Sequence, residues 1–215
     1  MATFAIVPGA GDVAWSWHLV AAELGKGGHE VVAVDLPSDD DDATFSDYAD
    51  TVVQAVGDRD EVVVVGHSLG GYTATLAAER LGASLLVLVS AMVPRPGETA
   101  SEWWSNTGYS DLPGHEGDET SLYLHDVEPG LAAEALRRGR DQSGRPMDDP
   151  WPLDSWPDVE TRYLALGDDR CFPAAWAREM ARERLGIEAD EMPGSHCAFL
   201  SRPAELAERL EGYLR

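Results

Sequence analysis

The 215-residue sequence predicts an α/β fold built on a mostly parallel sheet of about six strands. Three observations carry this. Short β-rich apolar runs alternate with helical stretches at intervals of about 30 residues, the signature of successive βαβ units. The runs are continuous in Val, Ile and Leu rather than alternating with polar residues, as expected of strands covered on both faces. A single long interruption carries most of the prolines, so helical material is inserted into one sheet instead of forming a second one.

Taken in order, Thr3–Val7 reads as a strand, Trp15–Leu24 as a helix with apolar spacing, Glu30–Val34 as a strand and Phe45–Val56 as a helix. Glu61–Val65 is a strand, Leu69–Leu81 an Ala-rich helix and Ser84–Val89 another apolar strand. From Pro94 to Pro157 the alternation stops. This stretch contains the pair Trp103-Trp104, many Gly, Asp and Glu, and it reads as an insertion with short helices such as Leu131–Arg138. Alternation resumes with a strand at Arg162–Leu166, a helix at Ala174–Leu185, a short strand at Ile187–Glu191 and a final helix at Pro203–Leu214. The expected division is a core of residues 1–93 and 158–215 with a lid of residues 94–157. The length suits one domain with an insertion, and a chain this long buries enough apolar surface to fold without a disulfide or metal staple.

Composition excludes several classes. Sixteen Lys and Arg against 39 Asp and Glu give a net charge of −23, which repels phosphate backbones and anionic lipid heads, so neither nucleic acid nor a membrane is an expected partner. No apolar run approaches the roughly 18 residues of a membrane span, and the N-terminal MATFAIVPGAG lacks the basic and apolar regions of a secretory signal, so a cytoplasmic location is expected. A homodimer is compatible with this composition. Cys171 and Cys197 are too few for a zinc cluster and form no CxxC pair; both are expected to be reduced thiols. The run Asp39–Asp42 lacks the spacing, glycine and terminal Glu of a calcium loop and reads as solvated.

The sharpest chemical feature is Gly66-His67-Ser68-Leu69-Gly70, placed directly between the Val62–Val65 run and a helix. This is G-x-S-x-G in a strand–turn–helix context. A tight turn there strains the Ser backbone, small residues on either side avoid collisions with strand and helix, and the hydroxyl is presented above the sheet near a helix N-terminus. A glycine-rich turn with a capping Ser is the bland reading of the five residues alone; the context favours a nucleophile. A Ser hydroxyl needs a base, and the base an orienting acid, which in this arrangement follow in that chain as acid and then His. His196 lies in a loop before the last helix and is the candidate base. His18 and His29 precede Ser68, His67 adjoins it and is expected to point away, and His115 and His125 fall in the insertion. The acid should end the preceding strand, where Asp168 and Asp169 stand side by side; Asp169, four residues before Pro173, is favoured. Donors for a developing oxyanion are expected from the backbone N–H of Leu69 and from the loop after the first strand, at Ala10. Such chemistry calls for no metal and no organic cofactor.

Residues Val7-Pro8-Gly9-Ala10 with Trp15-Ser16-Trp17, Val34-Asp35-Leu36-Pro37, Gly66-His67-Ser68-Leu69-Gly70-Gly71, Asp169-Arg170 and Gly194-Ser195-His196 occur in an order that resembles the α/β-hydrolase superfamily. The likeness is greatest to the branch of plant methylesterases and hydroxynitrile lyases and their bacterial relatives. It implies an α/β-hydrolase fold truncated to about six strands, since the chain starts at what would be the third strand of the full fold. It also implies a serine hydrolase that cleaves a small-molecule carboxylic ester through a Ser-His-Asp triad and an acyl-enzyme. Pro8 stands where the family usually carries His, so the loop after the first strand is expected to differ in shape. The lyases of the branch carry Thr beside the oxyanion loop and Lys after the catalytic His; Gly9 and Cys197 stand at those places here, which favours ester hydrolysis. Trp103, Trp104, Leu112 and Leu122 of the lid are the candidate substrate-pocket residues, with packing onto the core as their alternative role.

Two other classes compete. Gly9-Ala10-Gly11-Asp12-Val13-Ala14 fits G-x-G-x-x-G/A, and Asp35 ends the next strand, which together resemble the dinucleotide fingerprint of an NAD(P)-binding Rossmann-like protein. That reading leaves Ser68, Asp169 and His196 unexplained. The third class is a catalytically silent binding protein on the same fold.

Overall fold

The computed structural model of the chain describes residues 1–113 and 117–214. Six strands form one sheet: β1 (Thr3–Val7), β2 (Glu30–Ala33), β3 (Val62–His67), β4 (Leu85–Val89), β5 (Thr161–Leu166) and β6 (Asp190–Met192). Their order across the sheet is β2-β1-β3-β4-β5-β6, and every neighbouring pair is parallel. The continuous apolar runs reflect this burial directly: β1, β3 and β4 are buried along their whole length, whereas β2, at the sheet edge, is not.

Side chains of a strand alternate between faces, and the two faces collect separate cores. Ala5, Val7, Val64, Leu86 and Leu88 pack with α2 (Phe45–Val56), α3 (Gly70–Leu81) and α7 (Ala174–Leu185). Phe4, Ile6, Val63, Val65 and Val87 pack with α1 (His18–Lys26) and, at the C-terminus, α8 (Ala198–Ser201) and α9 (Pro203–Gly212). Between β4 and β5 lie α4 (Ala100–Asn106), α5 (Glu119–Tyr123) and α6 (Pro129–Arg138). This insertion is tied into both cores: Trp103 and Trp151 join the first, Leu124, Val127 and Ala132 the second.

Element ends shift by one or two residues in several places, and two elements differ by more from the sequence expectation. The first helical segment opens as a 3₁₀ turn at Ala14–Trp17 before α1, with Ser16 N–H donating to Val13 O three residues back (3.0 Å). The last strand begins at Asp190 and not Ile187: Gly186 ends α7 in a left-handed conformation, and Asp190 is the residue that comes into register with Leu164. Among the described residues, no helix is long and apolar enough to cross a membrane.

The strand order reverses direction between β1 and β3. In open parallel sheets the crevice beyond the C-terminal ends of the strands at such a point is where ligands bind. The loops leaving β1 and β3 carry Ala10 and Ser68.

Candidate active site

Ser68 has φ of +52°, one of three non-glycine residues with positive φ among those described. An L-residue adopts this conformation only where its surroundings impose it. Here the strand must end and the helix begin within two residues. The carbonyl of Ser68 accepts hydrogen bonds from Gly71 N (3.1 Å) and Met92 N (2.9 Å), which locks the turn from α3 and from the chain after β4. The flanking glycines are there for space: a Cβ on Gly66 would stand 2.5 Å from the Ala74 Cβ, and one on Gly70 would run into the carbonyl oxygens of Pro8 and Val7. The hydroxyl is left half-buried at the wall of a cavity of about 860 Å³.

Asp169 follows β5 and His196 follows β6, and the structure brings them together. His196 Nδ1 lies 2.7 Å from Asp169 Oδ2, and both residues are buried. The carboxylate is saturated with donors: Ser90 Oγ reaches Oδ2 at 2.5 Å, and Cys171 N and Phe172 N reach Oδ1 at 2.7 and 2.9 Å. Burial works against its ionisation, but the facing His196 and the hydrogen bonds from His196, Ser90 and Phe172 outweigh it and hold the carboxyl below its usual range. With Nδ1 donating to Asp169, Nε2 is left as the free ring nitrogen, and His196 and Ser68 line the same cavity.

Asp168, the neighbouring candidate, is exposed and has a different task. Its Oδ2 accepts from Gly194 N (2.9 Å) and its own N–H donates to Gly194 O (3.0 Å), clasping the loop that carries His196. The insertion fastens the other side of that loop: Asp126 Oδ2 accepts from Ser195 N (3.0 Å) and Ser201 Oγ (3.0 Å), and Cys197 N donates to Tyr123 O (3.1 Å).

His67 does not point away from the site. The abrupt turn at Ser68 leaves its ring 4.6 Å from that of His196, and Nε2 donates to the carbonyl oxygen of His196 at 3.0 Å. Burial, with the facing His196, pushes its pKa down to about 3, so the ring is neutral where it packs against that of His196. Of the other histidines, His18 stacks on Trp15, His29 accepts from Ala2 N, and His125 is not part of the cavity wall; His115 lies outside the described residues.

Ala10 and Leu69 line the cavity beside Ser68. In the turn after β1, the N–H groups of Gly11, Asp12, Val13 and Ala14 are each engaged, by Gln142 Oε1, Gly9 O, Asp12 Oδ1 and Asp35 Oδ1. Two consequences follow. Of the five N–H groups from Ala10 to Ala14, that of Ala10 is the one outside this set. A dinucleotide pyrophosphate, which needs such N–H groups free, has no cradle here, and Asp35 is occupied by Ala14 N and by the Arg140 guanidinium (3.3 Å).

Of the four expected pocket residues, Trp104 lines the cavity, while Trp103, Leu112 and Leu122 are not part of its wall. Successive residues of a helix point about 100° apart, so α4 cannot present both tryptophans to one side. Trp103 is fully buried and donates Nε1–H to Val93 O at 3.1 Å, within an aromatic cluster that includes Tyr109, Phe172 and Trp176. On α5 it is Glu119 and Tyr123, not Leu122, that reach the wall. Sequence reasoning missed Ser90, Asp12 and Gln142. Ser90 had a signal, a small polar residue directly after a buried strand and beside the one carrying the acid. Gln142 had none, since its role depends on a contact 131 positions distant.

A model of the alpha/beta hydrolase family matches residues 4–209. Methylesterase 7 of Arabidopsis thaliana is 28% identical over 249 residues, covering 96% of this chain and 94% of the relative. Norfluorocurarine synthase 2 from Strychnos is 33% identical over 247 residues, covering 96% and 93%. Among solved structures, polyneuridine aldehyde esterase superposes with a TM-score of 0.84 at 20% identity over the whole of both chains. A pyrethroid hydrolase from Sphingobium faniae superposes with a TM-score of 0.75 at 22% identity, over 99% of this chain and 96% of the other.

Proposed function

The chain belongs to the alpha/beta hydrolase family, and from that premise we propose that it is a carboxylic ester hydrolase working by acyl transfer through Ser68. The observation that carries this is the convergence on one cavity of a strained, half-buried Ser68 and a buried His196 whose Nδ1 is held at 2.7 Å by Asp169. Methylesterases and other esterases among the relatives support ester hydrolysis as the reaction class.

In the first step Ser68 Oγ attacks the ester carbonyl as its proton passes to His196 Nε2. The carbonyl oxygen takes up the negative charge and is held by the N–H groups of Leu69 and Ala10, backed by the N-terminal end of α3. Asp169 keeps His196 in the tautomer with Nδ1–H and stabilises the imidazolium. His196 then protonates the departing alkoxide, leaving an acyl-Ser68. In the second step water gives a proton to His196, its oxygen attacks the acyl carbon, and collapse expels Ser68 Oγ, which recovers the proton. Acid and alcohol leave, and the enzyme is unchanged.

Lyase chemistry of the related branch has no foothold. Cys197, half-buried against apolar neighbours, follows His196 in place of Lys, and any side chain at position 9 would start 3.0 Å from the Ser68 Cβ and 3.1 Å from His67 Nδ1. Met92, Trp104, Leu124 and Phe172 give the cavity an apolar wall that suits a neutral ester. Ser68→Ala is the direct test. Turnover of p-nitrophenyl acetate should fall by about 10⁴-fold or more, and labelling by a fluorophosphonate should disappear, while the fold persists. Activity within tenfold of wild type would overturn the assignment.

A further inference from the structure

The turn after β1 is gripped from across the cavity. Asp12 N–H donates to Gly9 O (3.2 Å), closing a four-residue turn with Ala10 and Gly11 at its corners and Gly11 at φ +63°. Both peptide groups flanking the Gly11 Cα are then held by the insertion: Gly11 N–H donates to Gln142 Oε1 (3.2 Å), and Gly11 O accepts from Arg140 N–H (2.8 Å). The fit is backbone against backbone, since a Cβ on Gly11 would run into the Arg140 carbonyl oxygen. The gripping segment is itself anchored. Gln142 Nε2–H donates to Tyr48 Oη (3.3 Å) and Ser143 O (3.0 Å), and Ser143 N–H donates to Ser38 O (2.7 Å).

We propose that Gln142 is a positioning residue for the oxyanion site. A turn with glycine at a corner has several peptide orientations open to it, and an oxyanion donor is effective only when aimed in advance. By capturing Gly11 N–H, the Gln142 amide oxygen fixes the Ala10–Gly11 peptide, removes Gly11 as a rival donor and leaves Ala10 N–H aimed at the developing charge. Competence of the oxyanion site is thereby tied to docking of residues 140–143 onto the core. The inference rests on the ester-hydrolase reading of Ser68.

Gln142→Met keeps the side-chain length and removes the acceptor. It should lower kcat for p-nitrophenyl acetate by about tenfold or more with KM changed less than about threefold, because the loss is of transition-state alignment and not of ester binding. Ser68 phosphonylation by a fluorophosphonate should slow by a similar factor. Gln142→Ser, polar but too short to reach Gly11, carries the same expectation should the Met variant fail to fold. A kcat near wild type in both Gln142 variants, or a rise in KM alone, would overturn the proposal. A wild-type protein that neither turns over the ester nor is labelled at Ser68 would overturn the hydrolase reading itself, and this inference with it.

Discussion

Asp12 is a carboxyl group in an expensive place. Its Oδ1 accepts from Val13 N and Ser16 Oγ, while Oδ2 is buried without a partner among the described residues. Burial dominates over those hydrogen bonds and pushes its pKa from 3.8 up to about 6. A raised native pKa means that the folded protein binds this proton more tightly than the unfolded chain. The contribution to stability is therefore complete below about pH 3.8 and is lost as the pH climbs through about 6. The shift of about 2 pH units, at 1.36 kcal/mol each, makes the ionised carboxylate cost about 3 kcal/mol by pH 7. Asp12→Asn keeps an acceptor for Val13 and Ser16 and abolishes the titration. Its stability relative to wild type should rise by about 3 kcal/mol between pH 4 and pH 7 and then level off. Urea unfolding followed by the fluorescence of the seven tryptophans would measure this, with Asp58→Asn on an exposed loop controlling for the loss of one of the net negative charges. A stability difference between Asp12→Asn and wild type that stays flat from pH 4 to pH 7 would refute the reasoning.

Three further outcomes are expected. Asp169→Asn should cost roughly 10³–10⁴-fold in kcat by presenting the wrong His196 tautomer, and Asp168→Asn far less; the opposite ranking in p-nitrophenyl acetate assays would move the orienting role to Asp168. Ser90→Ala removes a hydrogen bond to a buried carboxylate and should destabilise the protein by about 1.5–3 kcal/mol at pH 7. Because the native pKa of Asp169 is depressed, that deficit should shrink on denaturation curves as the pH falls below about 3.8 and the carboxylate takes up its proton. The thiols of Cys171 and Cys197 are unpaired and burial raises both above the ordinary range, Cys171 to about 12, so Ellman titration of the denatured, unreduced protein should count two and dithiothreitol should leave turnover unchanged.

The sheet was legible because its information is local and redundant. A strand buried on both faces must be apolar at every position, so Phe4–Val7, Val62–Val65 and Leu85–Val89 declare themselves without reference to their partners. The elbow was legible for a related reason: Gly66 and Gly70 answer steric demands from atoms close to them in the fold, and those demands admit few other residues. Element ends were less so, since where β6 begins is decided by its register with β5 and not by its own composition.

What the sequence hides is whatever one long-range contact decides. Nothing local separates Trp103 from Trp104, yet the packing of α4 sends one into the core and the other to the cavity. Asp168 and Asp169 are chemically identical neighbours; the approach of Ser90 and His196 to the second sets it apart from the first, which clasps Gly194. Asp12 shows the same limit from the other direction. In the sequence it is one member of the run Gly9-Ala10-Gly11-Asp12-Val13-Ala14, and nothing local marks it as a carboxyl without solvent. Burial of Oδ2 without a partner among the described residues makes its ionised form a cost that grows with pH. A position where local preference and global burial disagree is where function, not stability, is expected to have chosen the residue, and Asp12 lies within the turn that carries Ala10, at the wall of the cavity that Ser68 faces.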